Sequence, residues 1–190
     1  MDDEGYERYQ AFLNGDAASF DWLVVRYRNG LTGFLQRILR DYHSAEELAE
    51  DVFVSLYFKR PVLSPGSNLR TWLYSAGKNK AINHIRWKER HKTVELSEID
   101  ASGGDEDTVL HSLYLDERKI ALHRALDELP VNYRLVLHLH YFESMTAGEI
   151  SSIMKLKPRA VSDAIYNAKK ALRAVIENGG EKYEIIRSDT

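Results

Sequence analysis

The sequence predicts an all-α protein of two small helical domains joined by a flexible acidic linker, on three observations. Apolar residues recur at three- and four-residue steps over most of the chain, and no segment alternates with the two-residue period of a strand. Two of the apolar runs open on a Ser/Thr-x-x-Glu signature of the kind that caps a helix. Between the two sets of runs lies a segment, 93–116, whose middle, "DASGGDED", offers paired glycines and clustered acids but almost nothing to bury.

The first domain is taken as residues 1–92. Phe20, Leu23, Val24, Tyr27, Leu31, Phe34, Leu35 and Ile38 form one apolar stripe. Asn29-Gly30 is the expected point of a bend or break in that helix. In "SAEELAEDVFVSLYF" Ser44 and Glu47 make a capping box, and Ala45, Leu48, Ala49, Val52, Phe53, Leu56 and Tyr57 keep helical spacing. "KRPVLSPGSN" is a loop, and Asn68 is placed to cap the helix that follows.

The second domain is taken as 117–177, with a short tail, 178–190. Leu122, Ala125, Leu126 and Leu129 predict a helix ending near Pro130, and Leu135, Val136, Leu139 and Phe142 predict the next. Thr146 with Glu149 caps a short helix carrying Ile150, Ile153 and Met154. "KLK" separates it from Pro158, which suits a first helical position. Val161, Ile165, Ala168, Leu172, Val175 and Ile176 then line a longer helix. A short helix, a tight turn and a longer basic helix are the sequence shape of a helix-turn-helix.

Several function classes are set aside. With Cys 0 there are no disulfides and no thiolate metal sites. The acidic, polar start "MDDEGYERYQ" does not read as a secretory signal, and no apolar run nears the roughly 20 residues of a membrane span. The seven histidines form no metal pattern, and HExxH, P-loop, GxGxxG and GxSxG motifs are absent. No enzyme, metal or cofactor is expected.

The formal net charge of -3 hides a segregation. From 93 to 117 there is no lysine or arginine, while Glu95, Glu98, Asp100, Asp105, Glu106, Asp107, Asp116 and Glu117 are acidic. The flanking lobes are slightly basic, which directs attention to polyanionic partners. In "RTWLYSAGKNKAINHIRWKER", residues 70–90, Arg70, Lys78, Lys80, Arg86, Lys88 and Arg90 stand with Trp72, Trp87, Asn79, Asn83 and His84. Cations hold phosphates, amides bond unpaired base edges and aromatic faces stack on bases, so this stretch is a candidate single-strand surface. Trp72 by itself fits a core position. In the helix-turn-helix, Arg159, Ala160, Ser162, Asp163 and Tyr166 are placed toward a DNA groove, with Lys157, Lys169 and Lys170 near the backbone. Glu46, Glu47, Glu50 and Asp51 form an acidic helix face that alone reads as solvated surface.

Taken in order, "SAEELAEDVFVSLY", "LRTWLYSAGKNKAINHIR", the acidic linker and "ALDELPVNYRLVLHLHYFESMTAGEISSIMKLKPRAVSDAIYNAKKALR" resemble a bacterial RNA polymerase sigma factor. The resemblance is to the extracytoplasmic-function (ECF) group, which keeps only regions 2 and 4, and it covers roughly residues 18 to 175. It implies a cytoplasmic factor that binds core RNA polymerase and promoter DNA. Glu46, Glu47, Glu50 and Asp51 would meet the β′ clamp helices, and region 4 the β flap. Residues 70–90 would capture the melted −10 strand, the 58–68 loop would pocket a flipped base, and the helix-turn-helix would read the −35 element as duplex. The linker would thread toward the active-site cleft and RNA exit path. An anti-sigma factor is a typical further partner of the group. The family often has basic residues around the positions of Ser162, Ala164 and Asn167; Glu50 stands for a frequent glutamine and Asn83 for a frequent aspartate. Two rival readings are a stand-alone helix-turn-helix regulator and a sigma-like interaction module that initiates nothing.

Overall fold

The computed structural model describes residues 3–63, 68–92 and 117–187, and among them the regular structure is helical throughout, with no strand. The 93–116 linker and the tip of the 58–68 loop lie outside the described residues.

The N-terminal lobe has four helices: α1 (Asp3–Leu13), α2 (Ala17–Leu39), α3 (Tyr42–Lys59) and α4 (Leu69–Lys92). α1 has no counterpart in the sequence reading. It contributes Tyr9 and Phe12 to the core, and Tyr9 Oη donates to the Pro61 carbonyl at 2.8 Å. α2 is capped by Asp16, whose carboxylate accepts from Ala18 N and from the Ser19 hydroxyl. The break expected at Asn29-Gly30 does not occur. Leu23, Tyr27, Leu31, Phe34, Leu35 and Ile38 are buried on both sides of it, and that burial outweighs the roughly 1 kcal/mol cost of a helical glycine.

α3 starts earlier than the Ser44–Glu47 box implies. Asp41 is its N-cap, accepting from His43 N at 3.1 Å, Ser44 N at 3.4 Å and the Ser44 hydroxyl at 2.6 Å. Ser44 therefore lies inside the first turn. The N-cap of α4 matches expectation, with Asn68 Oδ1 accepting from Arg70 N at 2.8 Å. α4 lies close on α2: a Cβ at Gly77 would sit 3.0 Å from a Leu31 methyl.

The C-terminal lobe runs α5 (Glu117–Glu128), α6 (Val131–Leu137), a π-helical turn (His138–Phe142), α7 (Ala147–Met154) and α8 (Pro158–Arg187). The π turn explains one misplacement. Its wider register carries Phe142 out of the helix face, leaving it 52% exposed, and Met145 fills the core instead. The helix-turn-helix is built as expected. The Thr146 side chain accepts from Glu149 N while Glu149 Oε2 accepts from Thr146 N at 2.8 Å, and α7 ends on Lys155 in the left-handed region.

The two lobes share one continuous hydrophobic core. α2 meets α6, α4 meets α7, and polar contacts cross between them. Arg37 and Arg40 reach Asp127, at its carboxylate and its carbonyl respectively, and Arg37 also meets His123. Nothing in the sequence patterning announced this packing.

Candidate nucleic-acid interface

The 70–90 stretch forms α4 with three differently occupied faces. One face, Leu73, Gly77 and Ala81, is buried in the N-terminal lobe. A second face steps by fours through Arg70, Tyr74 and Lys78 and meets the C-terminal lobe. The Arg70 guanidinium donates to the Glu143 carbonyl at 2.8 Å and lies 3.6 Å from Glu149. Lys78 Nζ donates to the Ile153 carbonyl at 2.9 Å. Burial, and then the nearby Lys155 charge, lower the Lys78 pKa. The third face is open, with Asn79, Asn83, Arg86 and Trp87 exposed beside Lys88 and Arg90. Trp72 lies partly buried against the core at the N-terminal end of α4, and His84 stands 6.4 Å from Trp87. Trp87 is 53% exposed and stacks one ring face on His91. Amides, cations and an indole on one open helix face can hold phosphates and unpaired bases.

On α8, Val161 and Ala168 are buried and the opposite face is exposed. That face brings together Arg159, Asp163, Tyr166 and Lys170, with Ser162 and Lys169 to one side and Ala160 to the other. Lys157 is exposed in the preceding turn. Tyr166 is 70% exposed. No hydrogen bond or ion pair among the described residues reaches Asp163. The face has the form of a recognition helix, with an unpaired acid at its centre.

The acidic face on α3 is less free than the sequence suggests. Arg28 of α2 bridges Glu46 at 2.8 Å and Glu50 at 3.1 Å, and Lys80 of α4 pairs with Asp51 at 3.2 Å. Glu47 is exposed. Beside this face is an open cleft of about 680 Å³ between α2 and α3, lined by Phe20, Val24, Val54, Tyr57 and Phe58. Phe58 is 77% and Val54 52% exposed. The sequence reading missed this cleft; the signal was Val54 and Phe58, four apart and out of phase with the buried Val52, Phe53 and Leu56.

A buried polar cluster at the lobe contact was missed as well. Tyr74 is hydrogen-bonded to Glu143, and His138 Nε2 lies 3.5 Å from Glu143 Oε1. Burial raises the pKa of Glu143, but hydrogen bonds from His138 and Tyr74 and the charges of His138 and Arg70 outweigh it, leaving the carboxyl below its usual range. Glu149 is likewise lowered, its burial outweighed by Thr146, Arg70 and Asn68, whose amide donates to it at 2.7 Å. The described residues hold no acid, histidine or cysteine group suited to a metal, and no described helix is long and apolar enough to cross a membrane.

A family model described as Sigma-70 region 2 matches residues 23–91, and one described as Sigma-70, region 4 matches residues 119–172. The chain is similar to the RNA polymerase sigma-H factor of Pseudomonas aeruginosa, 26% identical over 185 residues, covering 93% of this chain and 94% of that protein. It is also similar to the ECF RNA polymerase sigma factor SigM of Bacillus subtilis, 26% identical over 161 residues, covering 85% and 97%. In fold it resembles the sigma factor RpoE, solved in complex with the anti-sigma factor NepR from Bartonella quintana, with TM-score 0.65 and 18% identity over 83% of this chain and 96% of that one. It likewise resembles CnrH, solved with the cytosolic domain of CnrY, with TM-score 0.63 and 19% identity over 92% and 95%.

Proposed function

Since the chain belongs to the sigma-70 family of RNA polymerase sigma factors, in its extracytoplasmic-function group, we propose that it binds core polymerase through α3, captures the melted −10 strand on α4 and reads the −35 duplex with α8. It works by binding in the cytoplasm and catalyses no reaction of its own. The observation that carries the division of labour is the open face of α4, where Asn79, Asn83, Arg86 and Trp87 stand together. Stacking and amide contacts suit unpaired bases, whereas α8 has the cations and groove-facing side chains of a duplex reader. Arg70, Lys78, Lys80, Trp72 and His84 flank the strand site.

Core polymerase would engage Glu46, Glu47, Glu50 and Asp51, with Phe58 and Val54 seated in an apolar contact beside them. A docking helix with arginines must compete with Arg28 and Lys80 for those carboxylates. An anti-sigma factor, as in the complex of the RpoE relative with NepR, would be a partner of the same surfaces. The test is run-off transcription with the cognate core enzyme on genomic fragments. Promoter-specific starts that require the protein are expected. Their absence, with tight operator binding by the protein alone, would favour a stand-alone helix-turn-helix regulator.

A further inference from the structure

We propose that Asp163 sets the base specificity of this chain at one point: its carboxylate accepts from the N4 amino group of a cytosine in the −35 duplex, so that one position of the element calls for a C·G pair. The inference rests on the sigma-factor reading of α8 and deepens it from a surface to a base.

Position makes the first argument. Asp163 is the sixth residue of α8, in the N-terminal part with which a recognition helix meets base edges. It is exposed, and it shares a face with Arg159 and Tyr166, opposite the buried Val161 and Ala168. A duplex seated on that face would meet the carboxylate near the middle of the contact.

The second argument is that Asp163 has no task inside the fold. An acid in the first turn of a helix complements the helix dipole, but α8 has none there and Asp163 lies beyond it. Arg159 stands four residues earlier, the less favourable order for a helical ion pair. Among the described residues no hydrogen bond or ion pair reaches Asp163. Lys78 lines the same cleft, but its ammonium donates to the Ile153 carbonyl at 2.9 Å. Ser162, the next residue back, turns its hydroxyl onto the Pro158 carbonyl of its own helix at 3.5 Å. The carboxylate is left for a donor from outside the chain.

Groove chemistry makes the third. Phosphates repel a carboxylate, so an acid here weakens binding to every sequence that offers it no donor. The base donors of the major groove are the N4 amino group of cytosine and the N6 amino group of adenine. Adenine places its N7 acceptor beside the amino group, where it opposes the second carboxylate oxygen. Cytosine places a C–H there instead. The carboxylate therefore selects cytosine and counts against the other three bases. Arg159, one turn earlier, lies about 6 Å along the helix axis, close to two base-pair steps of about 3.4 Å, and guanine is the common partner of an arginine.

The test is selection by the full chain, alone at low salt and again with the cognate core polymerase, from duplexes randomised over the −35 segment beside a fixed −10 segment. Wild type should enrich cytosine at one position by about tenfold over each other base. Asp163→Asn should move that preference to adenine, which an asparagine amide holds through N6 and N7. Asp163→Ala should leave that position without preference and the remaining positions as they were. A wild type that enriches no cytosine, or an Asp163→Ala protein that binds all sequences more tightly with its preferences unchanged, would overturn the assignment. The two arms separate the layers. Selection by the free protein but not with core polymerase sinks the sigma reading, while the position read by Asp163 is still scored. Selection with core polymerase that ignores both substitutions sinks the assignment alone, and no selection in either arm overturns both.

Discussion

Replacing Trp87 with alanine should separate strand capture from stability. Trp87 sits toward the C-terminal end of α4 and is 53% exposed. One ring face is stacked on His91, with centroids 4.4 Å apart and planes 30° apart. The substitution leaves no core cavity, so stability should change by no more than about 0.5 kcal/mol. A base stacked on the indole is worth about 1–3 kcal/mol, and each ~1.4 kcal/mol is tenfold in affinity. The assay compares holoenzymes made with wild type, Trp87→Ala and Trp87→Phe on a forked fragment with a single-stranded −10 segment, beside a fully paired −35 fragment. Chemical denaturation of each free protein runs in parallel. Trp87→Ala should lose about tenfold on the fork, keep its −35 affinity and unfold at the wild-type midpoint, while Trp87→Phe recovers most of the binding. Leu73→Ala is the contrast: Leu73 is 0% exposed, and its truncation should cost about 2–5 kcal/mol of stability. Equal fork affinity for Trp87→Ala and wild type, or a loss that tracks unfolding, would refute the reasoning.

Asp163→Ala should relax base choice at one −35 position by about 1–3 kcal/mol, since a carboxylate facing a groove accepts from a base amino group; a uniform gain on all sequences would instead mean simple relief of phosphate repulsion. Phe58→Ala should weaken core binding at least about tenfold with an unchanged melt, and unaltered affinity would remove the apolar cleft from the docking site. Thr146→Ala should cost about 1 kcal/mol by breaking the capping box, read as a lower urea midpoint for the C-terminal lobe. The packing of the two lobes should loosen as pH falls below about 6.5. Burial, and then the Arg37 charge, lower the His123 pKa, with Asp127 opposing and His138 adding to the lowering. The packed form thus binds fewer protons, and its stability is present above the ordinary histidine value and lost on acidification. Energy transfer between dyes placed on the two lobes, followed from about pH 8 to about pH 5, should fall, and a rise would contradict the assignment.

What could be read from the sequence was what is local. Thr146, Glu149 and Pro158 announced the helix-turn-helix because caps and turns act over three or four residues. The α3 start slipped because Asp41 and Ser44 both offer cap chemistry, and only the fold shows Asp41 taking the amides. Gly30 was misread as a breaker because its reason, Tyr74 and Glu143, lies far along the chain. α1 escaped notice because much of its sequence is polar, with Tyr9 and Phe12 buried and Tyr6 and Leu13 packed only partly buried against the core. For the candidate site, the residue types of α4 were legible but their partners were not: a cation suited to phosphate serves a carbonyl equally well, as Arg70 and Lys78 do. The same holds for the acidic face, whose neutralisation by Arg28 and Lys80 depends on two neighbouring helices.

The pairing of Lys80 with Asp51 links the acidic face of α3 to the face of α4 proposed for the strand. An arginine that takes Asp51 returns Lys80 to the strand face, and by reciprocity nucleic acid on Lys80 favours that docking. The exchange is an exposed one, so the effect is a matter of a few-fold at most. Chromosomes offer on the order of a million to a billion decoy sites, and each cation held by a carboxylate of its own protein is one fewer drawn to them.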